Sequence, residues 1–293
     1  MAKLLWDQVG ERRYETGVDH GVLYLPDNVG AYDTGYSWNG LTSVTEAPTG
    51  AESNKQYADN IVYLNLISAE EFGATIEAFT YPDEFEQCDG TATPTPGVAV
   101  GQQNRKMFGL SYRTKVGNDL VGQDYGYKLH LIYGAQAAPS EKAYGTVNDT
   151  PEPITFSWEL TTTPVDPETS VSGVPLKPMA SLVIDSTQVN AAKLLELEDM
   201  LYGTPGTDPQ LPTPKVVLAL FAGTVLEATP VMPAYNSTTK VITIPVTTGI
   251  DYTINNVVRT GDVTITTDTV VEAKPKAGYK LPVVTDKDWL FEF

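Results

Sequence analysis

The chain has 293 residues, 41% hydrophobic and only 19% charged, which is enough apolar content for real cores and too little charge for a disordered, solvating polymer. Its formal net charge of −18 repels phosphates and argues against firm nucleic-acid binding. A lone cysteine, Cys88, excludes an intramolecular disulfide and a cysteine-based zinc site, and His20 and His130 show no metal-motif spacing.

Abundant Thr, Val, Tyr, Gly and Pro suit pleated strands joined by turns, so a mainly β fold is expected. The first residues, Met1 to Asp7, lack the apolar run of a secretory signal. No apolar run approaches the roughly 20 residues that span a bilayer. Cytoplasmic folding with no membrane partner is the expectation.

Segments 21–25 and 35–44 read as strands. Glu46, Ala47, Pro48, Thr49, Gly50, Ala51, Glu52, Ser53, Asn54, Lys55 and Gln56 follow. Pro48, Gly50, Ser53 and Asn54 fit no sheet interior, so this stretch is expected to project as a loop before a strand starting near Tyr57. Val62, Leu64 and Leu66 alternate with Ile61, Tyr63 and Asn65, the pattern of a half-buried strand. Residues 68–79 are ambiguous, since Ser68 suits a helix cap. Phe72, Ala74, Ile76 and Ala78 nevertheless alternate with Thr75, Glu77 and Phe79, which favours a strand over about 72–81 ended by Pro82. The acidic stretch 82–90, with Asp83, Glu84, Glu86 and Asp89, reads as a solvated loop.

Strands are predicted next at 107–115, 127–133, 154–161 and 180–184. Tyr127, Leu129, Leu131 and Tyr133 leave His130 on the less apolar face of theirs. Ile154, Phe156, Trp158 and Leu160 alternate cleanly with Thr155, Ser157, Glu159 and Thr161. Ala191, Leu194, Leu197 and Leu201 form one stripe of a helix over 188–202, with Ser186 or Thr187 as N-cap and Gly203 as C-cap.

Pro205, Pro209, Pro212 and Pro214 make residues 204–214 read as a stiff linker, with a long surface loop within one domain as the alternative. The expected organisation is a domain over 1–203, the linker, and a small Ig-like β-sandwich over 215–293, read as strands only at 215–220, 240–246, 251–258, 262–273 and 288–293. Turns are expected at Asn236-Ser237 and at Thr260-Gly261-Asp262. Residues 1–203 hold 12 Lys+Arg against 28 Asp+Glu, whereas 204–293 hold 7 against 9, so the acidity belongs to the first domain.

Sites for chemistry are missing from the pattern. There is no Gly-x-Ser-x-Gly elbow, calcium loop, Walker motif or dinucleotide fingerprint. His20 reads as a turn residue, His130 lacks catalytic partners, and the carboxylates at Glu70-Glu71 and 83–89 define no sugar-binding cleft. A non-enzymatic protein without cofactor or metal is expected.

Four strings carry a resemblance: GERRYETGVDHGVLY (10–24), YADNIVYLNLISAEEFGATIEAFTYPDEFEQCDG (57–90), KLHLIYGAQAAPSEKAY (128–144) and ITFSWELTTTPV (154–165). Together they cover about half of residues 1–203 and resemble major tail proteins of siphophages that infect Gram-positive bacteria. The resemblance implies a tail-tube β-sandwich or barrel fold with one flanking helix. It implies hexameric rings with a shared inner barrel, stacked into a tube around a tape-measure protein and meeting tail terminator and distal tail proteins at its ends. DNA would pass through the lumen without specific binding, and the protein would reside in the virion after assembly in the host cytoplasm. In such proteins a long loop between two early strands reaches the next ring. The matching stretch here is 46–56, and Glu77 and Glu159 become lumen candidates. Six copies of the first domain would place about −96 per ring, a field that repels phosphates. The second domain would decorate the tube exterior. A bacterial surface adhesin or carbohydrate-binding β module is the alternative, one that normally carries a secretion signal. A secreted hydrolase would need a catalytic set that the sequence lacks.

Overall fold

The structure is a computed structural model that describes residues 6–147, 149–171, 174–222, 226–276, 279–282 and 285–293, without the side chains of Val171 and Leu226. Among the described residues strands hold 49% and helices 10%, so the fold class is mainly β. The chain forms two compact units, Met1–Pro214 and Lys215–Phe293.

The first unit is built on β1 (Arg13–Leu25), β2 (Thr34–Trp38), β3 (Leu41–Glu46), β4 (Ser53–Ala58), β5 (Ile61–Ile67), β6 (Gly73–Ala78), β7 (Phe108–Asn118), β8 (Gly122–Ala137), β9 (Phe156–Thr162) and β10 (Ser181–Asp185). Eight of these form one antiparallel sheet in the order β2–β1–β7–β8–β9–β6–β3, with β10 also pairing β8. β2 and β3 stand at opposite ends of this order, yet only Asn39 and Gly40 separate them in the chain. The sheet must therefore roll until its two ends meet. Gly40, at φ 77°, makes the corner that breaks the expected single strand over 35–44.

The inside of the roll is the core. Leu23, Ile76, Phe108, Leu110, Ile132 and Leu160 bury there around Trp38, Phe85 and Trp158, whose rings meet at centroid distances of 4.6 to 5.7 Å. Phe85 comes from a 3₁₀ turn (Asp83–Phe85) that runs into a single helical turn, α1 (Glu86–Asp89). The acidic stretch 82–90 is therefore a core plug and not only a solvated loop. Phe85, Cys88 and Asp89 are buried, and Asp83 and Glu84 form the polar start of the turn.

On the outer side, α2 (Ala191–Tyr202) buries Leu194, Leu197, Met200 and Leu201, and the Tyr24 hydroxyl donates to the Leu201 carbonyl at 2.8 Å. Its N-cap is Asn190, whose side chain accepts from the Ala192 and Lys193 amides, rather than Ser186 or Thr187. The expected cap positions instead brace β8, with Ser186 Oγ accepting from the Tyr127 amide.

The proline-rich stretch 204–214 is not a free spacer. The Gln210 amide donates to Met200, Leu211 pairs with Tyr32 and is buried, and the Tyr133 hydroxyl donates to the Pro212 carbonyl at 2.9 Å. Proline lacks a donor, but its carbonyl and the intervening apolar side chains remain free to bind a surface. The stretch therefore straps the first unit, which ends at Pro214 rather than near 203.

The segment expected as a strand over 215–220 is a helix, α3 (Pro214–Ala222). Pro214 takes the first helical position, where a missing N–H costs nothing. Val216, Val217 and Leu220, all buried, recur at helical spacing, and this outweighs the β preference of the valine pair. The second unit then forms a sandwich. One sheet joins β11 (Ala234–Asn236), β12 (Val241–Ile244) and β15 (Gly261–Thr264). The other joins β13 (Ile250–Ile254), β14 (Val257–Val258), β16 (Thr269–Pro275) and β17 (Asp288–Phe291). Ile242 and Ile244 face Tyr252, Val271 and Phe291 in the shared core. Asn255 and Asn256, both at positive φ, split the strand expected over 251–258 into β13 and β14. Among the described residues no helix is long and apolar enough to cross a membrane.

Candidate interaction surface

Where β3 leaves the body the chain does not loop. Thr49–Gly50 pair with Glu70–Glu71, and β4 then pairs with β5 as far as a reversal at Asp59-Asn60. Both turn residues have positive φ, 51° and 65°, as a two-residue hairpin turn with native twist requires. The stretch expected as a projecting loop, 46–56, is thus one side of a longer hairpin arm over 47–72, and Ser53 to Gln56 are strand. Prolines and glycines lie only in its inner half; the outer half forms a regular ladder with one bulge at Tyr63.

Every residue of β4 and β5 is exposed, so the half-buried strand expected from Val62, Leu64 and Leu66 is not buried at all. Tyr57 (70% exposed), Ile61, Val62, Tyr63 (66%), Leu64, Leu66 and Ile67 (68%) all face solvent. Pairing puts Ile61, Leu64 and Leu66 on one side and Tyr57, Val62 and Ile67 on the other. β5 carries no charge, and Lys55 and Asp59 are the only charges in 53–67. A two-stranded ribbon of this kind is marginal alone. An uncharged apolar strand with open edges also invites pairing with another chain. Burying each large side chain is worth about 1.5–3 kcal/mol, so a partner would stabilise the arm strongly.

A polar cluster lies at the arm's root, where the buried Tyr112 and His130 meet the more exposed Glu46. Glu46, the last residue of β3, stands on the core side of its strand, opposite buried Ala74. Its Oε1 accepts from the Tyr112 hydroxyl at 2.6 Å and lies 3.0 Å from His130 Nδ1. With Glu46 ionised, Nδ1 is the donor, and Nε2 meets Thr114 Oγ1 at 3.0 Å. The His130 and Tyr112 rings stack at 4.6 Å and 9°. The bond from His130 holds the Glu46 carboxyl below its ordinary range, with burial opposing and Tyr112 assisting. Burial and the Glu46 carboxylate both raise the Tyr112 phenol. His130, expected on the less apolar face of its strand, is 8% exposed, with Thr114, Glu46 and Tyr112 packed around its ring.

Glu77 and Glu159 share one face. Glu77 lies across from Ser157, and Glu159 across from Thr75, with Ile76 and Trp158 pointing the other way into the core. Ser43 Oγ donates to Glu77 Oε2 at 2.8 Å. Ser43, Thr45, Thr75, Ser157 and Thr161 complete a small, polar, outward face over β3, β6 and β9. β3 ends the sheet order, so among the described residues it has no hydrogen-bonded strand on its outer side.

His20 is not in a turn. It sits at a bulge within β1 at φ 52°, its Nδ1 2.9 Å from Asp19. Arg113 bonds the same carboxylate at 2.7 and 3.2 Å. Burial alone would raise Asp19, but the hydrogen bonds and charges of Arg113 and His20 together lower it. Asp89 is a further cluster: Lys142 donates to it at 2.7 Å and Trp158 Nε1 at 3.1 Å, with Arg105 at 3.5 Å. Burial pushes the neighbouring Cys88 thiol up to about 12, far from a reactive thiolate. Sequence reasoning missed Glu46 as an anchor for two distant side chains and Asp89 as a buried one. No local signal marks them, since the partners of Glu46 lie 66 and 84 residues away. No protein-family model and no curated protein matches the chain.

Proposed function

We propose that the chain is a structural subunit that polymerises with copies of itself, the tail-tube protein of a long-tailed bacteriophage, and not an enzyme. The observation that carries this reading is the arm over 47–72. It is apolar on both sides, almost uncharged in its outer half and without cover, and such a ribbon is stable and soluble when another molecule buries it.

Two features support the same reading. The polar face bearing Glu77 and Glu159 ends at β3, which among the described residues lacks a hydrogen-bonded strand on its outer side, and pairing there with a neighbouring copy would close a ring with a hydrophilic, anionic wall. The resemblance of segments 10–24, 57–90, 128–144 and 154–165 to siphophage tail proteins points to that ring. In this reading the arm makes the contact between stacked rings, DNA slides past without being held, and the Ig-like second unit decorates the outside. Tape-measure, terminator and distal tail proteins are the partners.

Negative-stain microscopy of the concentrated, purified protein tests the proposal. Rings or tubes of phage-tail width are expected. A strictly monomeric species that binds glycans would overturn it in favour of a carbohydrate-binding module.

A further inference from the structure

The geometry points to Glu46 as a positioning residue: with Tyr112 and His130 it clamps the root of the arm to the body, and so sets the direction in which the arm leaves. This inference rests on the arm being the docking element. Three observations carry it. Glu46 is the last strand residue before the arm and is held by two side chains from β7 and β8, which are remote in sequence. One oxygen takes both contacts, at 2.6 and 3.0 Å, and the ring of His130 is itself fixed by Thr114 and by stacking on Tyr112. A side chain gripped from two directions has one orientation.

Beyond Glu46 the chain leaves the body ladder and pairs only within the arm. Ala47 donates to the Gly73 carbonyl at 2.8 Å, the last bond tying the outgoing strand to the body ladder. Gly50 and Ala51 then both take positive φ, 83° and 52°. A Cβ on Gly50 would fall 2.2 Å from the Ala69 carbonyl oxygen, so the two sides of the arm touch backbone to backbone at this bend. Regular pairing resumes at Ser53, and across the bend the two sides stay bonded only irregularly, through the Ala51 amide to the Ala69 carbonyl at 3.3 Å and the Ser68 amide to the Glu52 carbonyl at 3.2 Å. The root is therefore a fixed point followed by a bend. Without the clamp, the bend and the last body rung would share the motion, and the arm would sweep a wider cone. A docking element that must meet a defined surface binds more weakly when it is less preorganised.

The test uses the full chain and four variants: Glu46→Ala, Glu46→Gln, Tyr112→Phe, and a chain in which two glycines replace residues 51–69. Glutamine keeps an acceptor oxygen in place for both donors, and Tyr112→Phe removes one donor while leaving the stacked ring. Amide hydrogen exchange is read separately over 47–52 with 68–73 and over β7 with β8, and tube growth is read by light scattering. Glu46→Ala should speed exchange at the root about tenfold, leave β7 and β8 protected, and slow tube growth about tenfold. Tyr112→Phe should fall between it and the native chain, and Glu46→Gln should recover most of both effects. Root exchange and growth at native values in Glu46→Ala would overturn the clamp. So would loss of protection throughout the body, which would make Glu46 a general stability residue. Tube growth by the arm-deleted chain would instead refute the arm as docking element, leaving the exchange result to decide the clamp.

Discussion

Gly134 shows how one residue sets the path of a strand. β8 pairs with β10 over residues 128–132 and with β9 over 135–137, and Gly134, at φ 60°, lies between the two pairings. A Cβ there would stand 2.3 Å from the Thr163 carbonyl oxygen. Gly134→Ala is therefore expected to cost about 1–3 kcal/mol of stability in backbone strain, read as a lowered urea midpoint. Asp89 has a different vulnerability. It is 6% exposed at the side chain and satisfies Trp158 and two cations. Asp89→Ala leaves the buried Trp158 donor unpaired and the partly exposed Lys142 and Arg105 without their anion, and should cost about 1–3 kcal/mol, with Asp89→Asn costing less because it still accepts from Trp158. Glu46 carries a pH signature. Its folded pKa is depressed, so its stabilisation is complete above the ordinary 4.5 and is lost as pH falls through the folded value. The native chain should therefore lose more stability than Glu46→Gln between pH 7 and pH 3. An equal loss in both chains would show that Glu46 is not linked to folding. None of these roles was legible locally. A glycine or a carboxylate in a strand looks alike whether its neighbours are solvent or a distant backbone.

The strands themselves were more legible. Alternation located β6, β8, β9 and β10, and the leucine stripe located α2, because burial on one face imposes a period of 2 or 3.6 on any sequence. It failed where burial does not follow that rule. In β5 both faces are apolar and both are exposed, so the residues 61–67 give the alternation of a body strand while lying outside the body. In α3 the run Val216-Val217-Leu218 looks like a strand, and the helical spacing of Val216, Val217 and Leu220 emerges only once their burial is known. The candidate surface was half legible. Residues 46–56 were recognised as projecting, but their partner strand 61–67 was assigned to the core. A deletion designed on the loop reading, such as 48–55, would remove one side of a ladder and leave β5 unpaired. Replacing 51–69 with two glycines instead joins the Gly50–Glu70 pair through a two-residue turn. That chain should keep the near-UV circular dichroism of the body and stay dispersed where the native protein forms tubes. Normal elongation would remove the arm from the assembly interface.

At the scale of the whole molecule, the boundary between the units is where the sequence was most misleading. Four prolines within 204–214 suggested a spacer, and a truncation near Tyr202 would then leave a complete first unit. The structure puts the end of that unit at Pro214. Leu211 is 3% exposed, its amide bonds the Tyr32 carbonyl, and the fully buried Tyr133 hydroxyl has the Pro212 carbonyl as its acceptor. Cutting at 202 removes the Leu211 side chain, worth about 2–5 kcal/mol by analogy with large-to-small core changes. It also leaves Tyr133 with a buried, unpaired donor at a further cost of about 1–3 kcal/mol. Together these approach the 5–15 kcal/mol that holds a domain folded. A chain of residues 1–214 should therefore unfold cooperatively in urea with intact near-UV dichroism, and should still assemble, since the arm and the β3 edge both lie within it. A chain of residues 1–202 should have a much lower midpoint or a molten near-UV spectrum. If the two truncations unfold at the same midpoint, the strap contributes nothing and the proline stretch is a spacer after all.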